Sequence, residues 1–218
     1  MAPYTGPETR IIMSFAMKSG GHLFSQWLRN RLMKELDYFS PNAIYVDTVA
    51  SREHATEHSL AMPDPATHKA GTTYVAPDRR HEATEGFTTI GAMNRGWNHA
   101  YQTAMRQAHV MLFLMTPDYV ASQWCVQEWN QFLAEAKGRG PNHRLFGLVL
   151  CFNDSGGAET GTGAIPSGFD PSVMQKLAVT RIETGRGHQT AIAHGRGWAI
   201  GESDVGRILQ AIRPHLPA

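Results

Sequence analysis

VMLFLMTPDYVASQWCVQEWNQF, residues 110–132, is the stretch that decides the fold. Val110 to Met115 is an unbroken apolar run, the pattern of a strand covered on both faces in a parallel sheet. Thr116-Pro117-Asp118 then turns the chain. A helix follows that can pack through Cys125, Trp129, Phe132 and Ala136. Trp124 and Glu128 are four residues apart and share one face of it. They stand just past the strand end, where open α/β sheets bind ligands. An aromatic ring and a carboxylate in that place suit a small-molecule site.

Outward from this stretch, strands and amphipathic helices alternate. Arg10 to Phe15 (RIIMSF) reads as a strand, and Lys18-Ser19-Gly20-Gly21 breaks it. His22 to Leu36 reads as a helix, with Leu23, Phe24, Trp27, Leu28, Leu32 and Leu36 on one broad stripe. Ala43 to Val46 is a short second strand ending at Asp47. Trp97, Ala100, Tyr101, Ala104, Met105 and Ala108 recur at helical spacing before residue 110. Gly138-Arg139-Gly140-Pro141 stops the helix of Trp124. Leu145 to Phe152 and Leu177 to Ile182 are further strands, the second weaker. Asn153 to Pro171 and Gly185 to Gly197 read as loops, and Asp204 to Leu216 as a closing helix. The predicted architecture is a three-layer, flavodoxin-like α/β domain with a central parallel sheet of about five strands. Residues 1–9 read as a flexible arm and 10–218 as a single domain. Periodicity fades over 48–95, a connection far longer than is usual between such elements.

Composition narrows the function. Lys plus Arg number 20 against 19 for Asp plus Glu, a formal charge of +1. No global field draws the chain to nucleic acid or to a lipid surface. The longest apolar run is far too short to span a bilayer. No basic-then-apolar leader opens the sequence. Cys125 and Cys151 each sit in an apolar pattern and make no disulfide framework, so buried thiols in a reducing compartment are expected. The expectation is a cytoplasmic protein.

The strand ends gather polar groups. Ser14, Lys18 and Ser19 can donate to phosphate or ribose oxygens, and Gly20 and Gly21 let backbone amides approach an anion. Phe15 or Trp124 can stack on a flat ring. Glu128 can accept from a ribose diol or stabilise a developing cation. Plain alternatives stand beside these readings: Ser19 as a helix cap, Gly20-Gly21 as a simple turn, Trp124 as a packing residue, Glu128 as a solvated one. His54-Ala55-Thr56-Glu57-His58 matches an inverted zinc-protease pattern, but its flanks are polar and proline-rich and no third ligand can be named. No metal is expected. Gly156 to Gly163 lacks the dinucleotide fingerprint and comes too late in the chain to be one.

With these residues in view, the chain resembles the Toll/interleukin-1 receptor (TIR) domain family. RIIMSFAMKSGGHLFSQWLRNRL resembles that family's first strand, loop and helix, and AMRQAHVMLFLMTPDYVASQWCVQEW its helix, buried strand, Ser/Thr-Pro turn and Trp-Cys…Glu segment. The likeness covers roughly Arg10 to Asp37 and Gly96 to Phe152; the 48–95 connection departs from it. Some members only assemble with other TIR domains. Others cleave NAD+ between nicotinamide and ribose and carry Trp-x-x-x-Glu on the helix after the central strand, which here reads Trp124-Cys125-Val126-Gln127-Glu128. The resemblance implies Glu128 as catalytic residue. It implies Ser14, Phe15, Lys18, Ser19, Gly20, Asp47 and Trp124 around the substrate, NAD+ as substrate with no further cofactor, and a homo-oligomer or other TIR domains as partners. The reaction would yield nicotinamide with ADP-ribose or a cyclic ADP-ribose, in defence signalling or as an effector. A non-catalytic adaptor or nucleotide-binding module is the alternative.

Overall fold

The run at 110–115 lies in the interior of the sheet, as its uniform apolarity requires. In a computed structural model, which describes residues 8–16, 21–40, 42–46, 101–116, 118–154, 165–184 and 197–217, β3 (Val110–Met115) is buried throughout. It lies between β1 (Ile11–Phe15) and β4 (Phe146–Asp154). Beyond them come β2 (Ile44–Tyr45) on one side, and β5 (Met174–Thr184) then β6 (Gly197–Ile200) on the other. The order is β2-β1-β3-β4-β5-β6. The first five strands are parallel, with Ser14 level with Phe113, Met115 with Cys151, and Gly147 with Met174.

One expectation is corrected here. The sheet has six strands among the described residues, and β6 runs antiparallel to β5, with Arg181 opposite Ile200. The sequence pattern places Gly197 at the end of a loop. A four-residue strand opening on glycine has too few side chains to show a period, and it exists because β5 offers an edge to pair with. The edge is closed further by Asp204, whose Oδ2 accepts the Thr180 amide at 2.8 Å just past the last β5–β6 pair.

Two layers of helix cover the sheet. On one face α1 (Gly21–Glu35) and the helix Glu202–Ile212 pack Phe24, Leu28, Leu32, Val205, Ile208 and Ile212 against Ile11, Met13, Phe15, Leu112 and Leu148. On the other, helix α2 (101–107) and α3 (Gln123–Gly138) pack Tyr101, Met105, Cys125, Trp129 and Phe132 against Ile12, Met111, Phe113 and Val149. The helix at Glu202 is α4. Side chains alternate across each strand, so odd and even positions of β1 serve opposite layers. Cys125 and Cys151 are free and buried. Thr9, at the end of the expected arm, is buried and donates its amide to Gln107 Oε1 at 3.0 Å. The 48–95 connection, with His54 and His58, lies outside the described residues, as does 156–163. Among the described residues no helix is long and apolar enough to cross a membrane, and no group of His, Cys, Asp and Glu could hold a metal.

The close approach of α3 to the sheet explains Gly147. A Cβ there would lie 2.8 Å from Phe132 Cζ and 3.2 Å from both Met174 Cγ and Phe113 Cε2. Gly147→Ala therefore overpacks the layer, and should cost about 1–3 kcal/mol in a urea unfolding curve.

At the opposite, N-terminal edge of the sheet His109 packs edge-on to His143, ring centroids 4.5 Å apart. Burial first, then the charges of His143, Arg10 and Arg139, lower its pKa from 6.5 to about 4, with Glu8 opposing. The folded pKa lies below the unfolded one. The stability this neutral ring contributes is therefore complete above about 6.5 and is lost as pH falls toward 4. Urea midpoints should decline across that window, and His109→Gln should flatten the decline.

Candidate active site

The chain leaves β1 through α1 to β2 on one side of the sheet, and later continues from β3 to β4 on the other. The C-terminal ends of β1 and β3 are therefore a switch point, the place where open α/β sheets bind ligands in a crevice. Ser14 belongs to the even positions of β1 and faces the α2/α3 layer. Phe15 faces the other way and is part of the α1 core. Strand alternation thus turns the Phe15 ring from the face that carries Glu128, leaving Trp124 on the Glu128 side as the aromatic available for the expected stacking.

α3 is set by both its ends and its apolar stripe. Ser122 caps the N-terminus in an extended conformation, its side chain accepting the Cys125 amide at 3.4 Å. The Trp129 and Phe132 rings close on Phe113 of β3, centroids 4.8 and 5.1 Å away. Trp129 Nε1 donates to the Ser167 carbonyl at 2.9 Å. At the far end Arg139 donates to the Met105 and Ala108 carbonyls and pairs with Glu135 at 3.0 Å, tying α3 to the end of α2. With Cys125 and Trp129 facing the sheet, Glu128 falls on the side nearest the end of β1.

There the carboxylate meets Ser14. Ser14 Oγ donates to Glu128 Oε2 at 2.6 Å, joining residues 114 apart in sequence. Both groups are buried, Ser14 at 1% and Glu128 at 4% exposure. Glu128 is thus no solvated surface residue. Trp124, one turn earlier, is half-buried and packs on the same core cluster.

Tyr119 is the residue that sequence reasoning missed. It follows the Thr116 turn, with its amide bonded to the Thr116 carbonyl at 2.9 Å, and its side chain is fully buried. Its hydroxyl lies 2.6 Å from Ser14 Oγ and 3.2 Å from the Cys125 carbonyl, to which it can donate. The available signal was chemical: a tyrosine in a turn beside a buried strand needs a partner for its hydroxyl. Burial, then the neighbouring Cys125 and Glu128, hold the Tyr119 phenol well above its ordinary pKa, and the Ser14 hydrogen bond opposes them.

Two more oxygens stand at this edge. Thr116 Oγ1, just past β3, and Asn153 Oδ1, late in β4, are buried without a hydrogen-bond partner among the described residues. Buried orphans of this kind call for an explanation, and a bound polar ligand supplies one. Of the site residues named from sequence, Ser14 and Glu128 meet here, with Trp124 one helical turn before Glu128 on the same helix. Lys18, Ser19, Gly20 and Asp47 lie outside the described residues.

No curated protein and no solved structure matches the chain significantly. A family model described as TIR domain matches residues 89–159, the segment that carries β3, Tyr119, Trp124 and Glu128.

Proposed function

We propose that this protein cleaves NAD+ at the nicotinamide–ribose bond, with Glu128 as catalytic residue. The observation that carries the reading is the Glu128 carboxylate, buried at the switch point and bonded to Ser14 at 2.6 Å. It lies within the TIR-matching segment and one helical turn after Trp124. Nicotinamide leaves as a neutral group while positive charge grows on the anomeric carbon of the ribose. A carboxylate in a poorly solvated site stabilises that charge more than it would in water. A carboxylate has about four acceptor sites, so one bond from Ser14 is compatible with acceptance from the ribose diol.

Trp124 offers a face for a flat ring. Lys18, Ser19 and Gly20 would take the linked phosphates, and Asp47 the edge of the same crevice. Ser14, expected to bind substrate directly, acts here by holding the carboxylate. Attack by water gives ADP-ribose; attack by a group of the same substrate gives a cyclic product. TIR domains act in signalling or cleave NAD+, and a role in defence or as an effector would be consistent with either product.

The test is direct. Purified protein incubated with NAD+ should release nicotinamide, and mass and chromatography should identify the adenine product. The assay should be repeated at high protein concentration, because a homo-oligomer forms by mass action; light scattering under the same conditions should show whether activity follows assembly. No nicotinamide at any concentration would overturn the enzymatic reading in favour of an assembly module.

A further inference from the structure

Glu128 takes part in a line of three oxygen contacts. Ser14 Oγ lies 2.6 Å from Glu128 Oε2 and 2.6 Å from Tyr119 Oη, and Tyr119 Oη lies 3.2 Å from the Cys125 carbonyl. Each contact needs one hydrogen between its oxygens. Serine and tyrosine supply one each, and an ionised glutamate supplies none. Two hydrogens then serve three contacts, and the two short ones take them. Tyr119 donates to Ser14, Ser14 donates to the carboxylate, and the longest contact goes without. If Glu128 takes up a proton, the third hydrogen arrives and the direction reverses. Glu128 donates to Ser14, Ser14 to Tyr119, and Tyr119 to the Cys125 carbonyl.

We propose that Ser14 and Tyr119 are positioning residues that form a reversible hydroxyl relay governing the charge on Glu128, Ser14 favouring the carboxylate and Tyr119 the acid. Its importance for turnover rests on the NAD-cleaving reading; the relay does not. Among the described residues the groups that build the relay are Ser14 from β1, Tyr119 from the turn after β3, and the Cys125 carbonyl from α3, with Cys125 and Glu128 both acting on the Tyr119 phenol. The Tyr119 phenol, held well above its ordinary range by burial, keeps its hydrogen at every pH of interest.

The two substitutions act in opposite directions. Ser14→Ala removes the donor to the carboxylate, a charge-assisted bond. Tyr119→Phe keeps the ring against Phe113, but takes one hydrogen bond from the ionised form and two from the protonated form. The experiment is a pH titration by carbon-13 NMR of protein labelled at the glutamate carboxyl carbons, the Glu128 signal identified by its loss in Glu128→Gln. Ser14→Ala should raise the Glu128 midpoint by about one pH unit or more. Tyr119→Phe should lower it by a smaller amount, and Ser14→Thr, which returns the hydroxyl, should restore most of the original value. A general packing defect moves both variants the same way; that result, or no movement in either, overturns the relay. Nicotinamide release against pH on the same proteins should show acid limbs displaced in parallel with the midpoints. Midpoints that move in opposite directions with no nicotinamide from any variant would sustain the relay and sink the NAD reading.

Discussion

Glu128→Gln should lower nicotinamide release from NAD+ by about 100-fold or more, the loss typical when one preorganised electrostatic group is removed from a transition state. Glutamine keeps the shape and an acceptor oxygen for Ser14, and removes the charge while exchanging the other oxygen for an amide NH2. That matters because Glu128 is 4% exposed. Alanine there would open a hole and strand the Ser14 and Tyr119 hydroxyls, so lost activity could reflect lost packing. The charge acts on a cation that exists only as the bond breaks. The fall should therefore appear in kcat, with KM little changed. The urea midpoint should stay near that of the parent protein. A Glu128→Gln variant that turns over NAD+ at the parental rate would remove Glu128 from the chemistry. Trp124→Ala is the weaker probe, since Trp124 packs on the core and would lose stability along with any ring contact.

The parts that could be seen in the sequence were those with a local period. Cys125, Trp129 and Phe132 recur at helical spacing and do face the sheet. Val110 to Met115 is apolar without a break and is interior. Trp124 and Glu128 could be placed on one helical face by counting. What counting could not supply was the depth of Glu128, because burial depends on Ser14, 114 residues away. Phe15 shows a related limit. In a strand covered on both faces the period of two is hidden, since both sets of side chains are apolar. Which layer received Phe15 and which received Ser14 therefore emerged only with the packing. Tyr119 sits in a turn, where no period exists at all. β6 and the two-residue β2 are made by pairing with longer neighbours, and their own residues carry little of the signal.

Phe113→Ala should be the most damaging core substitution tied to the site, costing about 3–5 kcal/mol. A domain of this size is stable by only about 5–15 kcal/mol, so the variant should be near unfolding at mild urea concentrations. Phe113 is fully buried on the central strand and level with Ser14 of β1. Its ring is met by Trp129 at 4.8 Å, Phe132 at 5.1 Å and Tyr119 at 6.5 Å. Two of those rings position α3 and the third carries the hydroxyl that bonds Ser14. Removing Phe113 thus takes away the surface against which Glu128, Ser14 and Tyr119 are aligned. Phe113→Leu fills most of the volume and should cost less, leaving a protein folded enough to assay. In that variant activity should fall further than the folded fraction does, because small displacements of a catalytic group weigh heavily on rate. Equal falls in activity and folded fraction would mean that the ring supports the fold alone. A Phe113→Ala protein with an unchanged urea midpoint would mean that the α3 layer is held by something other than this aromatic cluster.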